Sequence, residues 1–145
     1  EFFARDFVGV GDCYWIRPLR GGRLFRDTPN NLSLAFDAAF SPGSVSDGII
    51  FIRPLRQSIN GGRLLVAGDS IGVELHSISP ETYFFLQQVR QESANGGIFG
   101  VTPANIPTNI NNQNPKGKKA LGYFGASAVQ RAETIVEPEK ARPKP

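Results

Sequence analysis

Apolar and polar positions alternate most regularly from Ile71 to His76, where Ile71, Val73 and Leu75 are separated by Gly72, Glu74 and His76. A period of two is the pattern of a strand that buries one face. The period then changes. Ser79 reads as a helix N-cap, with Pro80 at the first helical position and Glu81 favoured by the helix dipole. Leu86 and Val89 follow at helical spacing, and Asn95-Gly96-Gly97 predicts a left-handed C-terminal cap. The stretch from Ile71 to Gly97 is therefore one strand running directly into one short helix.

Elsewhere the pattern is mostly that of strands. Asp12 to Arg17 is aromatic-rich and β-prone, and Arg20-Gly21-Gly22-Arg23 predicts a turn into a short segment, Leu24 to Arg26, making a hairpin. Leu32, Leu34, Phe36, Ala38 and Phe40 alternate with Ser33, Ala35, Asp37 and Ala39, a half-buried strand stopped by Ser41-Pro42-Gly43. The continuous apolar run from Ile49 to Ile52 predicts a central strand covered on both faces. Arg63 to Ala67 leads through Gly68-Asp69 into the strand at Ile71. Leu121 to Ser127 is strand-like with small residues that admit a second backbone, and Ala128 to Val136 extends it, to pair near Ile71 to Ile78.

One pentapeptide occurs twice: Ile16 to Arg20 and Ile52 to Arg56 both read IRPLR, followed by GGRL at Gly21 to Leu24 and again at Gly61 to Leu64. Two similar hairpins packed in related positions, or merely shared hairpin chemistry, both account for the echo. Pro18 and Pro54 place those strand ends at an edge or outside the sheet. The resulting fold class is mainly β, an antiparallel β-sandwich or partly open barrel with one short α-helix. Residues 1–136 are expected to form a single β-rich domain, the C-terminal part of a larger protein, and the Pro- and charge-rich residues 137–145 a disordered tail.

Composition narrows the chemistry. The net charge of +3 on 145 residues is small, so no nucleic-acid partner is expected. Cys13 is the sole cysteine and His76 the sole histidine, too few for an ordinary zinc site, and no metal or cofactor is expected. No apolar run approaches the ~20 residues of a membrane-spanning helix. The chain has no Met and opens on Glu1-Phe2-Phe3, which reads as a processed or truncated product. Gly68-Asp69-Ser70-Ile71-Gly72 matches the nucleophile-elbow pattern of serine hydrolases, but that elbow needs a helix after the serine and an acid before the histidine downstream. Here a strand follows, and a hydrolase built on Ser70 is the third reading.

Two surfaces remain as binding candidates. Tyr83, Phe84 and Phe85 are three consecutive aromatics on a short helix, more than one face of a small domain buries. Val101 to Pro115 has three prolines, five asparagines and no charge, and reads as a long loop that covers a sheet edge or contacts a sugar or a protein. Asn105 and Asn109 in it, with Tyr123 beyond it, join the aromatics as candidate partner-binding residues. Arg17, Arg20, Arg23, Arg53 and Arg56 would form a basic face if the two echoed segments were neighbours, the alternative being charges that protect sheet edges.

The order of these segments resembles a known family. A GD turn, then VELHSISPETYFFL, then the run at Pro103, Ala104, Asn105, Pro107, Asn109 and Ile110, then ALGYFGASAV from Ala120 to Val129, is similar to the C-terminal portion of domain of unknown function 4249. In that family the corresponding patterns are VELxSISxExYxFL, PPANxPSNI and ALGYFxASxV. Lys116 to Lys119 departs from it by adding a basic tip before ALGYF. The resemblance implies a Bacteroidota cell-envelope protein of the outer membrane, lipoprotein-like, anchored through a segment absent from this chain and often encoded near a TonB-dependent receptor. It implies no catalytic residues. The expected function is a non-enzymatic accessory or binding module for an outer-membrane transport partner, with a sugar or other small ligand also compatible. The alternative is a structural or assembly subunit of a larger envelope complex.

Overall fold

The structure is a computed structural model that describes residues 2–9, 11–36, 48–51, 53–60, 64–95, 106–120 and 122–141. Its elements in chain order are β1 (Ala4–Arg5), β2 (Cys13–Arg20), β3 (Arg23–Leu24), a 3-10 turn (Pro29–Asn31), β4 (Ser33–Phe36), β5 (Ile50–Phe51), α1 (Arg53–Ile59), β6 (Ser70–Ile78), α2 (Pro80–Ala94), β7 (Ala128–Ile135) and a 3-10 turn (Pro138–Lys140). β6 lies between β2 and β7, and the other side of β2 is shared by β4 and β3. All these pairs are antiparallel, with Trp15 opposite His76 and Arg17 opposite Glu74. β1 and β5 form a separate two-stranded ribbon. The fold is thus mainly β, an open antiparallel sheet with one main helix, as expected. Among the described residues no helix is long and apolar enough to cross a membrane.

Alternation along the strands divides the sheet into two faces. On one, Ile16 and Val73 meet Leu55 and Ile59 of α1, one helical turn apart on the same side. Phe2, Ala4, Ala35, Leu65, Ile71 and Leu75 pack around that cluster. The other face carries Trp15, Arg17, Glu74, His76 and Phe36, and α2 covers its end near Phe36, whose ring meets Tyr83 edge-on at 5.3 Å. Arg90 of α2 donates to the Leu32 carbonyl at 3.2 Å and ties the helix to the sheet margin. Gly72 permits the close approach of β7: a Cβ there would lie 2.9 Å from the Ala132 carbonyl oxygen.

The expected helix start is present, with Ser79 Oγ accepting from Thr82 N at 3.3 Å. Its end differs. Asn95 caps it with φ −81°, a right-handed value, and Gly96 and Gly97 lie outside the described residues. The hairpin at Gly21-Gly22 is also present, both glycines having positive φ. β4 realises Ser33 to Phe36 of the expected half-buried strand, and Asp37 to Phe40 lie outside the described residues.

Four expectations are corrected. The run from Ile49 to Ile52 is no central strand covered on both faces: β5 has two residues and, among the described residues, pairs with β1 alone, and Ile50 remains 56% exposed. An apolar run whose side chains stay exposed is not covered on both faces, whatever its composition. The second IRPLR copy is helical rather than a hairpin strand, because Pro54 sits in the first turn of α1, where its missing N–H leaves no bond unmade. The GGR that follows it lies outside the described residues. Pro18 is in a strand paired on both sides, not at an edge. Its carbonyl accepts from Phe25 N at 2.8 Å, so its nitrogen faces the same way, into the gap where the neighbour of β2 changes from β4 to β3. Finally, 122–127 is irregular and β7 begins at Ala128, pairing with β6 as expected.

Candidate binding groove

The capped start of α2 fixes Thr82, Phe84 and Phe85 on its first turns, and residues 107–109 and 123–126 lie against them. Asparagine chemistry holds these two stretches together. Asn109 donates from Nδ2 to the Phe124 carbonyl at 2.7 Å and accepts from Phe124 N at 2.8 Å, so one side-chain amide stands in for a strand partner. Thr108 Oγ1 donates to the Gly122 carbonyl, and Asn112 Nδ2 to the Lys118 carbonyl at 2.8 Å. Asn112 and Asn114 also accept from the backbone N–H two residues on, the local turn that favours Asn in loops. The side-chain amides of Asn109 and Asn112, and the amide oxygen of Asn114, are therefore used internally.

Between α2 and these two stretches lies an open groove of about 550 Å³, lined in part by Thr82, Phe84, Phe85, Asn109, Tyr123 and Phe124. Tyr123 stacks on Phe85 with ring centres 4.2 Å apart and planes 17° from parallel. Its hydroxyl is 3.5 Å from Thr82 Oγ1. Phe84 and Phe124 stay 53% and 73% exposed, an apolar rim on a built wall. Ser79 holds the Glu81 carboxyl at one end of the groove below the usual carboxylate range through a side-chain hydrogen bond. A pocket of about 230 Å³ shares Thr82, Phe85 and Tyr123 with the groove and reaches Trp15 and Ser127.

The structure thus brings together Phe84, Phe85, Asn109 and Tyr123 from the expected set. Tyr83 is turned toward Phe36, and Asn105 lies outside the described residues. Phe124 and Thr82 were missed. Phe124 was legible as a bulky apolar residue among Gly122, Gly125 and Ala126, a poor setting for burial.

The arginines do not form one face. Arg17 and Arg20 project from opposite sides of β2, three residues apart in a strand. Arg17 Nε donates to Asp27 Oδ1 at 3.1 Å, and its guanidinium also lies over Trp15 and 3.8 Å from Glu74. Arg20 covers the Phe25 ring and donates to the Ile59 carbonyl. Arg23 and Arg56 are exposed on β3 and α1, and Arg53 opens α1 with its side chain outside the described residues.

His76 meets a serine, but not Ser70. Its Nδ1 is 3.0 Å from Ser127 Oγ, and its Nε2 is 3.5 Å from Glu74 Oε2. Glu74 is shared with Arg17 and Arg131, which lie opposite it in register on the two neighbouring strands. A carboxylate neutralised by two guanidinium groups is a weak partner for a catalytic imidazole. Among the described residues no three His, Cys, Asp or Glu side chains are placed to hold a metal ion.

Over residues 13–133 the chain matches the family described as Domain of unknown function (DUF4249). No match is found among curated proteins or among solved structures.

Proposed function

Since the chain belongs to the DUF4249 family, we propose that it is a non-enzymatic binding module of the cell envelope, working with an outer-membrane transport protein of the TonB-dependent class. The observation that carries the reading is the aromatic groove. It is apolar at its rim, held rigid by Asn109 and Thr108, and leaves two phenylalanines largely in water. Such exposure is unfavourable in an isolated chain and becomes favourable when a partner covers it, at about 25 cal/mol per Å² of apolar surface. Aromatic anchors on a fixed frame lose little conformational freedom on binding. The envelope location is supported by what the family resemblance implies.

The test is recovery of the partner from detergent-solubilised outer membranes, with the chain and a Phe84→Ser, Phe124→Ser double variant used side by side as bait. Both substitutions are at exposed positions, so folding is retained and circular dichroism checks it. The expected result is a β-barrel transporter recovered by the native chain and reduced at least about tenfold with the variant, the loss of roughly 1.4 kcal/mol that two anchors exceed. Equal recovery by both baits, or no transporter with either, overturns the proposal.

A further inference from the structure

Among the described residues the sheet ends at β7, and β7 is exposed along all eight of its residues. Val136, just beyond it, donates to the Asp69 carbonyl and accepts from Gly68 N, both at 2.9 Å, so its two backbone groups face β6. Alternation then aims the backbone groups of Thr134, Ala132 and Gln130 at β6 and those of Val129, Arg131, Glu133 and Ile135 outward. Nothing among the described residues pairs with that outer row. Of the devices that protect an open edge it has only the charges of Arg131 and Glu133: Ala128 to Ile135 contains no proline and no lysine, and its register with β6 runs without a bulge.

We infer that the outer edge of β7 is a homodimer interface, pairing antiparallel with β7 of a second copy about a twofold axis at Ala132. Hydrogen-bond parity and charge together select that register. Only residues whose backbone groups point outward can exchange bonds, so 129, 131, 133 and 135 must face one another across the interface. Centred on Ala132, Arg131 faces Glu133 of the second copy, Glu133 faces its Arg131, and Val129 faces Ile135 twice. A shift of two residues in one direction sets Arg131 against Arg131, and in the other Glu133 against Glu133. Opposite charges across a strand pair are favourable by about 0.2–1 kcal/mol each and like charges are unfavourable.

The charged side chains are already grouped beside the axis, although Arg131 also reaches inward to Glu74 Oε1 at 3.3 Å and to the Gly22 carbonyl at 3.2 Å. Arg131 and Glu133 lie on the same face of the strand and are bonded to each other, Nε to Oε1 at 2.6 Å, so two copies close a ring of four alternating charges. Val129 and Ile135 flank that ring and are 52% and 64% exposed in the single chain. One strand pair is at the low end of stable interface sizes, and the expected dissociation constant is on the order of micromolar. This surface is separate from the aromatic groove, and either assignment stands without the other.

Sedimentation equilibrium of the 145-residue chain over a concentration series tests the assignment. The native chain is expected to reach twice its monomer mass. Glu133→Arg and Arg131→Glu, each alone, place like charges across the axis and are expected to weaken self-association by roughly tenfold or more. Mixed, the two variants match at every position and are expected to form the heterodimer. Register is read separately: Ala132→Cys faces itself across the axis and cross-links under mild oxidation, whereas Gln130→Cys does not. Cys13, 1% exposed, does not interfere. A native chain that stays monomeric, a dimer indifferent to Glu133→Arg, or cross-linking at 130 in preference to 132 overturns the inference.

Discussion

The same five residues, IRPLR, form the second half of β2 at Ile16 to Arg20 and, from Arg53 onward, the start of α1. What is shared is the fate of one side chain. Leu19 and Leu55, equivalent in the two copies, are each 1% exposed. What differs is everything around them. The first copy has β6 on one side and β4 and β3 on the other, and its proline lies where the neighbour of β2 changes from β4 to β3, with its carbonyl accepting from Phe25 N. The second copy is followed by Gln57-Ser58-Ile59, which lets Leu55 and Ile59 lie on one helical side against Ile16 and Val73. Burial of the leucine is demanded in both places, and the neighbours decide the backbone that delivers it.

The largest test of that account removes the leucines. Leu19→Ala and Leu55→Ala are each expected to lower unfolding free energy by about 2–5 kcal/mol, read from urea denaturation. A wide disparity between them would break the equivalence. The next probes how strongly β2 is held by distant contacts. Tyr14, two residues before the first copy, donates from its hydroxyl to Asp6 Oδ1 at 2.6 Å, and burial together with that bond raises the phenol above its usual pKa. A raised folded value contributes stability that is complete below the unfolded pKa of about 10 and is lost as pH climbs through the folded one. Tyr14→Phe should therefore cost about 1–3 kcal/mol at pH 7, since Asp6 is left buried without this partner. The gap between variant and native chain should narrow above pH about 10, as followed by denaturation at stepped pH. The smallest effect is expected from Pro18→Ala, within about 1 kcal/mol, because the donor it restores faces the gap between β4 and β3. A loss well beyond that would show that the proline itself shapes the strand.

The echo also explains what could be read without the structure. β6 and α2 were legible because their signals are local: strict alternation from Ile71 to His76, then Ser79-Pro80-Glu81 as a helix start. α1 was not, because proline, arginine and leucine are compatible with a strand end and with a first helical turn alike, and only the packing of Leu55 and Ile59 separates the two. The apolar run before it misled for the same reason, since composition cannot report how many strands lie alongside. At the groove, Phe84, Phe85, Asn109 and Tyr123 were legible as residues too aromatic or too amide-rich for their setting. That Tyr83 turns away while Phe124 joins them depends on the path of 106–126, which asparagine side chains rather than backbone ladders define.

Asn109 gives that path a chemical vulnerability. Its amide is read from both ends, the nitrogen by one carbonyl and the oxygen by one N–H of the same residue, Phe124. Aspartate, the product of side-chain hydrolysis as proteins age, keeps the acceptor but turns the donor into a second oxygen aimed at the Phe124 carbonyl. One mass unit of chemical ageing would thus unlatch the wall of the groove while leaving the sheet beneath it intact.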